Sequence, residues 1–391
     1  MRASLFSFAF GLFAAMSGVP AAADPIDYDY LDARLELLME RDDMMGLAVA
    51  VVENGQIRFV RGYGLTEEDG TAVTSQTRFR WASVSKGLAA TLAAKLDHDG
   101  TISLDDTISQ YNTTLRLPGL GEQKATIRDL LSHRLGLVSN AYDNILESGQ
   151  QPSAIRGILG DLNLICPVGE CHGYQNVAFD TISEVFFDRT GMDFDTLARM
   201  RVFDPLGMTS ASTTYQGLVG SDDYARPHSW RNGQLYEDTI TEPYFRVSAA
   251  GGVSSSIDDM AKYLQAQMGL RPSVFDEDSL KVAHQPVVET LREARGMHSR
   301  FERIMDADYA LGWRVYEYEG GHTVVGHRGA VRGYRALILF DPERQTGVAA
   351  LWNSGITRPT GIQFEVMDMV YGLEKRDWMR LMPDPPTAHG G

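Results

Sequence analysis

Apolar, β-prone runs stand near both ends of this chain with helical patterns between them, and that arrangement most restricts its fold. Near the start, Gly46–Val52 and Ile57–Tyr63 flank Glu53-Asn54-Gly55. Asn-Gly favours a tight hairpin, so two antiparallel strands are expected there. Towards the end, Ala310–Tyr318, His322–His327, Tyr334–Phe340 and Thr346–Trp352 alternate or run apolar, with Gly and Pro as punctuation. Between these regions, Ile127–His133, Ala154–Leu162, Ala178–Arg189 and Phe194–Val202 read as helices. Tyr28–Arg41, Ala82–Asp97 and Thr360–Tyr371 add three more, the first with Leu31, Leu35 and Leu38 at helical spacing. The expectation is α+β: one antiparallel β-sheet built from both chain ends and flanked by helices, with an inserted all-helical lobe. A single domain over 24–391 is expected, its sheet lobe at about 24–115 and 245–378 and its mostly helical lobe at about 116–244.

Composition narrows the function. Hydrophobic residues make up 43% of the 391, enough for a sizeable core. The 36 basic residues against 52 acidic ones leave a charge of −16, which repels phosphate backbones and argues against a nucleic-acid partner. Arg2, the apolar run Leu5–Met16 and Ala21-Ala22-Ala23 read as a secretory signal over 1–23. That run is too short to span a hydrocarbon core of ~30 Å, and no later segment is apolar enough, so no membrane span is expected once the signal is removed. A periplasmic or secreted protein is the expectation. Cys166 and Cys171, the only cysteines, could bridge in an oxidising compartment and stiffen a tight loop, or remain free thiols. No further cysteine or histidine completes a metal site around them.

Three segments could carry chemistry. Ser83-Val84-Ser85-Lys86 opens the Ala82 helix, and a spacing of three puts the Ser83 hydroxyl and Lys86 ammonium on one face. A serine needs a neighbouring base to become a nucleophile, and a helix start supplies N–H donors where an oxyanion would form. Of six lysines, only Lys86 follows a serine by three. Tyr174-Gln175-Asn176 follows the cysteine loop and offers a phenol for proton transfer and an amide for positioning. Tyr142-Asp143-Asn144 has the same pattern, and spacing alone does not separate the two. The third is His327-Arg328-Gly329-Ala330 at a strand end, where a glycine admits substrate to the backbone and the next N–H could complete an oxyanion hole. His389-Gly390-Gly391 repeats His-x-Gly in the terminal tail.

Ser83-x-x-Lys86, Tyr174-x-Asn176 and His327-x-Gly329, in that order, resemble the serine β-lactamase and penicillin-binding protein family, nearest the class C β-lactamases and their esterase and D-peptidase relatives. Phe79-Arg80-Trp81-Ala82, Ile127–His133 with Gly136-Leu137, Pro205–Met208 and Ala250–Ser255 match as well, so the likeness runs from about Leu31 to Tyr371. The family's tyrosine follows a Pro/Gly turn, as Tyr174 follows Pro167 and Gly169, which selects Tyr174 over Tyr142.

Carried over, the resemblance makes Ser83 the nucleophile, Lys86 its base partner and Tyr174 the acid/base. Asn176 would orient Lys86 and substrate, and the N–H groups of Ser83 and Ala330 would form the oxyanion hole. His327 stands where the family has lysine, and a histidine is mostly neutral at pH 7. Arg332 or Arg335 could restore a cation. The implied activity is hydrolysis of a β-lactam, ester or D-amino-acid amide in a small molecule or peptide, through an acyl-enzyme and without cofactor or metal. The alternatives are a penicillin-binding receptor or D-Ala-D-Ala carboxypeptidase acylated without fast turnover, and an inert binding protein on the same fold.

Overall fold

The computed structural model describes residues 26–382. The expected signal at 1–23 and His389-Gly390-Gly391 lie outside them. Strands β1 (Gly46–Glu53) and β2 (Gln56–Gly64) form the expected hairpin, with Asn54 at φ 50° and Gly55 at 78°. Asn and Gly adopt these positive values at least cost, which is why this dipeptide makes the turn. Two short pairs come next: β3 (Phe79–Arg80) joins β6 (Ser254–Ser255), and β4 (His228–Arg231) joins β5 (Gln234–Glu237). The remaining strands are β7 (Val288–Glu289), β8 (Ile304–Tyr309), β9 (Arg314–Tyr318), β10 (His322–Val331), β11 (Tyr334–Asp341) and β12 (Thr346–Trp352).

The main sheet has eight antiparallel strands in the order β2-β1-β12-β11-β10-β9-β8-β7. Leu47 of β1 lies opposite Trp352 of β12, so the two ends of the chain join inside the sheet, between its second and third strands. Both faces are covered. Ala48, Ala50 and Val52 pack into one core, while Leu47, Val49 and Val51 pack with Leu31, Leu35 and Leu38 of helix α1 (Tyr28–Met39) in the other. This explains why β1 reads as an unbroken apolar run rather than an alternating one.

Helix α2 (Ser85–His98) is buried almost all round, as expected of a helix passing through a core. Its small residues are required: a Cβ on Gly87 would lie 2.5 Å from the Trp313 ring. The middle of the chain holds α3 (Ile127–Leu131), α4 (Asp143–Glu147), α5 (Pro152–Ile158) and α6 (Thr181–Thr190). It is not wholly helical, because the β4–β5 hairpin lies within it.

Two strand limits differ from expectation. The strand expected from Ala310 begins at Arg314, because Ala310 N–H bonds Trp313 O in a turn with Gly312 at φ 67°. Strand β10 continues past His327 to Val331, pairing with β11 from His327↔Ile338 to Val331↔Tyr334. Its pairing with β9 stops at Gly326↔Arg314. Beyond that point no strand among the described residues pairs with this edge of β10.

Candidate active site

Ser83 sits in a single 3₁₀ turn (Ala82–Val84) leading into α2. Ala82 before it has φ 47°, a left-handed conformation that costs a non-glycine residue about 1–3 kcal/mol. The surroundings hold it there. Trp81 N–H donates to Val253 O (2.8 Å), the Trp81 indole to Ser255 Oγ (2.9 Å), Ser85 Oγ to Ala82 O (2.6 Å) and Val253 N–H to Ser85 Oγ (3.0 Å). The Ala250–Ser255 segment is thus the seat of the serine turn. Strand β10 closes on it so tightly that a Cβ on Gly329 would fall 2.0 Å from Trp81 O.

Lys86 is fully buried one turn along the same face. Its Nζ meets three acceptors: Asn176 Oδ1 at 2.6 Å, Ala250 O at 2.9 Å and Ser83 Oγ at 3.5 Å. Three acceptors match the three N–H bonds of an ammonium. Nζ also lies 4.7 Å from the centre of the Tyr174 ring and 5.5 Å from that of Phe179, so the cation faces two π-systems. Ser83, Lys86, Tyr174 and Asn176 are therefore brought together.

Tyr142-Asp143-Asn144 has a different place. Asp143 Oδ2 accepts from Asn176 Nδ2 at 2.6 Å, which turns Asn176 Oδ1 towards Lys86. Burial raises the Asp143 carboxyl above its usual range, against the pull of the Asn176 bond and the Lys86 charge. This positioning acid has no signal in sequence spacing; only the fold brings it to Asn176.

The Tyr174 loop is laid down on the His133–Leu137 segment. Gly173 N–H bonds His133 O (2.9 Å), Gly169 N–H bonds Arg134 O (2.8 Å) and Ile165 N–H bonds Gly136 O (2.8 Å). Close approach demands glycines: a Cβ on Gly173 would stand 2.0 Å from Leu137 O, and one on Gly136 2.3 Å from Cys166 O. Cys166 and Cys171 are disulfide-bonded in this loop, with Cα atoms 6.2 Å apart.

His327 is buried, with Nε2 3.1 Å from the Tyr309 hydroxyl and Nδ1 2.9 Å from Arg328 O. Burial, reinforced by Arg314 and Lys86, holds its imidazole neutral, well below the usual histidine range. Arg335 donates twice to Gly355 O and Arg332 is exposed. Arg314 of β9 and Arg328 instead bring cations beside this site, both paired with Glu293, Arg314 at 3.4 Å. Of the two, Arg314 lies in the wall of a cavity of about 1100 Å³ together with Tyr174, His172, Cys171 and Glu293. Sequence reading passed over Arg314 because it belongs to no short motif. Among the described residues, no group of three His, Cys, Asp or Glu could hold a metal ion.

A sheet joined through the chain ends, with Ser-x-x-Lys, a Tyr-x-Asn loop and a His-x-Gly strand meeting at one point, is the arrangement of a β-lactamase-type serine hydrolase. A family model described as Beta-lactamase matches residues 31–363, and the chain belongs to that family. It is 28% identical over 337 residues to the unguisins hydrolase ungD' of Aspergillus campestris, covering 82% of this chain and 60% of that one. It is 25% identical over 346 residues to penicillin-binding protein 4 of Amycolatopsis lactamdurans, covering 85% and 87%. The chain thus spans less than two thirds of the fungal relatives, 60% and 64% of two of them. In fold it is similar to an octameric penicillin-binding protein homologue from Pyrococcus abyssi, with TM-score 0.79, 23% identity and coverage of 90% and 78%. A class C β-lactamase mutant has TM-score 0.71, 19% identity and coverage of 88% and 97%. Among the described residues no helix is long and apolar enough to cross a membrane.

Proposed function

We propose that this β-lactamase-family serine hydrolase forms an acyl-enzyme on Ser83 and releases it to water, cleaving a β-lactam, ester or D-amino-acid amide. The observation that carries the reading is the Lys86 ammonium, held by Asn176 and Ala250 O between Ser83 Oγ (3.5 Å) and the Tyr174 ring (4.7 Å). Asn176 Oδ1 and Ala250 O fix Lys86 Nζ beside the proton path, on the same helical face as Ser83. The Lys86–Tyr174 pair, acting as one base, takes the Ser83 proton as Oγ attacks the carbonyl carbon, and returns it to the leaving atom when the tetrahedral intermediate collapses. The N–H groups of Ser83 and Ala330 stabilise the oxyanion. Water repeats the attack on the acyl-enzyme, giving one proton to the same Lys86–Tyr174 pair, which returns it to Ser83 Oγ as the acid leaves.

The cavity beside Tyr174 favours a substrate that extends beyond the scissile bond, and Arg314 offers its wall a cation for a carboxylate. A D-amino-acid peptide or ester fits this better than a small compact ring. The likeness to penicillin-binding protein 4, nearly full length in both chains, favours a second reading in which β-lactams acylate without fast release. The bonded Cys166–Cys171 pair supports an exported enzyme in an oxidising compartment. A panel of a chromogenic cephalosporin, p-nitrophenyl acetate and D-alanyl peptides tests the reading. Many turnovers on at least one are expected. A lasting one-to-one cephalosporin adduct without turnover of any would replace it with the receptor.

A further inference from the structure

Beneath the cleft, three buried side chains from distant parts of the sequence touch in series. Gln175 N–H lies 3.2 Å from His133 Nδ1, His133 Nε2 lies 3.2 Å from the Tyr309 hydroxyl, and that hydroxyl lies 3.1 Å from His327 Nε2. The series ends at Arg328 O, 2.9 Å from His327 Nδ1.

Its direction is fixed twice over. A backbone N–H only donates, so Gln175 requires a bare Nδ1 on His133, and a neutral ring then carries its proton on Nε2. A backbone carbonyl only accepts, so Arg328 O requires the proton of His327 on Nδ1, leaving Nε2 bare. Between them the Tyr309 hydroxyl accepts from His133 and donates to His327, and every member is satisfied. A second proton on either ring would oppose the chain. Lys86, Arg314 and His172 face His133, and Arg314, Lys86 and Arg328 face His327, while Tyr309 is faced by Tyr174, Arg314, Tyr316 and Glu293.

The chain also spans the cleft. At one end, His133 holds the Tyr174 loop through the Gln175 N–H, its own carbonyl to Gly173, and its ring 4.5 Å from that of Tyr174. It does so from φ 59°, an uncommon conformation for a non-glycine residue. At the other end, His327 belongs to the stretch of β10 that carries Gly329 and Ala330. We propose that His133, Tyr309 and His327 form one directional hydrogen-bond chain that sets the separation between the Tyr174 loop and strand β10, which makes His133 and Tyr309 positioning residues for acyl transfer. The functional half of this rests on the acyl-transfer reading; the chain itself does not.

The test therefore has two arms. Imidazole ¹⁵N NMR of the whole wild-type protein should show two neutral histidines of opposite tautomer, Nε2–H for His133 and Nδ1–H for His327, unchanged between about pH 5 and 8. Like tautomers, or titration of either ring within that range, would overturn the chain whatever the enzyme's activity. In the second arm, Tyr309→Phe keeps the ring and removes both bonds. The acylation rate with p-nitrophenyl acetate should fall about 10- to 100-fold while KM changes less than about threefold, as expected of misplaced groups rather than lost binding. His327→Gln, which can still accept from Tyr309, should lose less than His327→Leu. An unchanged acylation rate in Tyr309→Phe, or equal losses in the two His327 variants, would refute a positioning role.

Discussion

Asp143→Ala is the substitution whose effect the structure predicts most sharply, because Asp143 bonds neither Ser83 nor Lys86 yet sets the amide that holds Lys86. Asn176 has two ends with different partners: Nδ2 on Asp143 and Oδ1 on Lys86, both at 2.6 Å. Removing the carboxylate frees the amide to rotate and loosens the Lys86 ammonium. A hydrogen bond to a charged group contributes about 1.5–3 kcal/mol, or about 10- to 150-fold in rate if all of it appears in the transition state. Water can reach the space left by this partly buried side chain, so the lower end applies. The expected loss is about tenfold in kcat with cooperative unfolding retained. Asp143→Asn keeps an acceptor oxygen and should lose much less. Steady-state kinetics on the best substrate of the panel, with circular dichroism melts, checks both. Wild-type kcat in Asp143→Ala, or equal losses in the two variants, would refute the reasoning.

Three further outcomes follow from the same contacts. Burial holds His284 at about 3 and His172 at about 4, and keeps His133 and His327 well below the usual range. These rings stay neutral when folded but take a proton when unfolded below about 6.5, so stability falls as pH drops through that value, by about 1.4 kcal/mol per unit for each ring. Denaturant melts from pH 8 to 5 should show this, and His284→Gln, whose ring bonds Gln267 and no residue of the site, should remove one ring's share of the slope. Gly329→Ala would drive a methyl group to 2.0 Å from Trp81 O, where only backbone can yield; at a cost of about 1–3 kcal/mol it should push β10 off the Ser83 turn and abolish most turnover. Near-normal kinetics would show that the strand has slack. Reducing Cys166–Cys171 should slow turnover by loosening the Tyr174 loop without unfolding the protein, checked by thiol titration alongside the rate.

Much of the fold could be read along the chain because its signals are local. Asn54-Gly55 made the hairpin, Leu31, Leu35 and Leu38 marked the inner face of α1, and the last four strands were set off by Gly and Pro. Between Met208 and Ala310 the pattern predicts no helix or strand, although the stretch holds helices Ile257–Gln267, Glu277–His284 and Leu291–His298. The first two had readable starts, since Ser256 and Asp276 cap them by accepting from Asp259 N–H and Ser279 N–H. The third ends among charged residues and has no side-chain cap.

The site divides in the same way. Ser83 and Lys86 share one helical turn, so spacing sufficed to pair them. Tyr174 needed a family likeness to be told from Tyr142, because two Tyr-x-Asn runs are equivalent until the chain folds. Tyr309 and Arg314 carry no motif, and Asp143 and His133 lie in runs whose spacing gives no hint of the contacts these two residues make. His133 and Tyr309 stand 176 residues apart and meet only because the turn after α3 and the end of β8 come together in the fold.

The most direct test of the account is rapid acid quench of the enzyme with its best substrate, followed by intact-mass and peptide mapping. The account predicts one acyl group on the Ser83 peptide that appears before steady state and is absent, with turnover, in a folded Ser83→Ala variant. Comparable turnover in that variant, or an acyl group mapped to another residue, would contradict it.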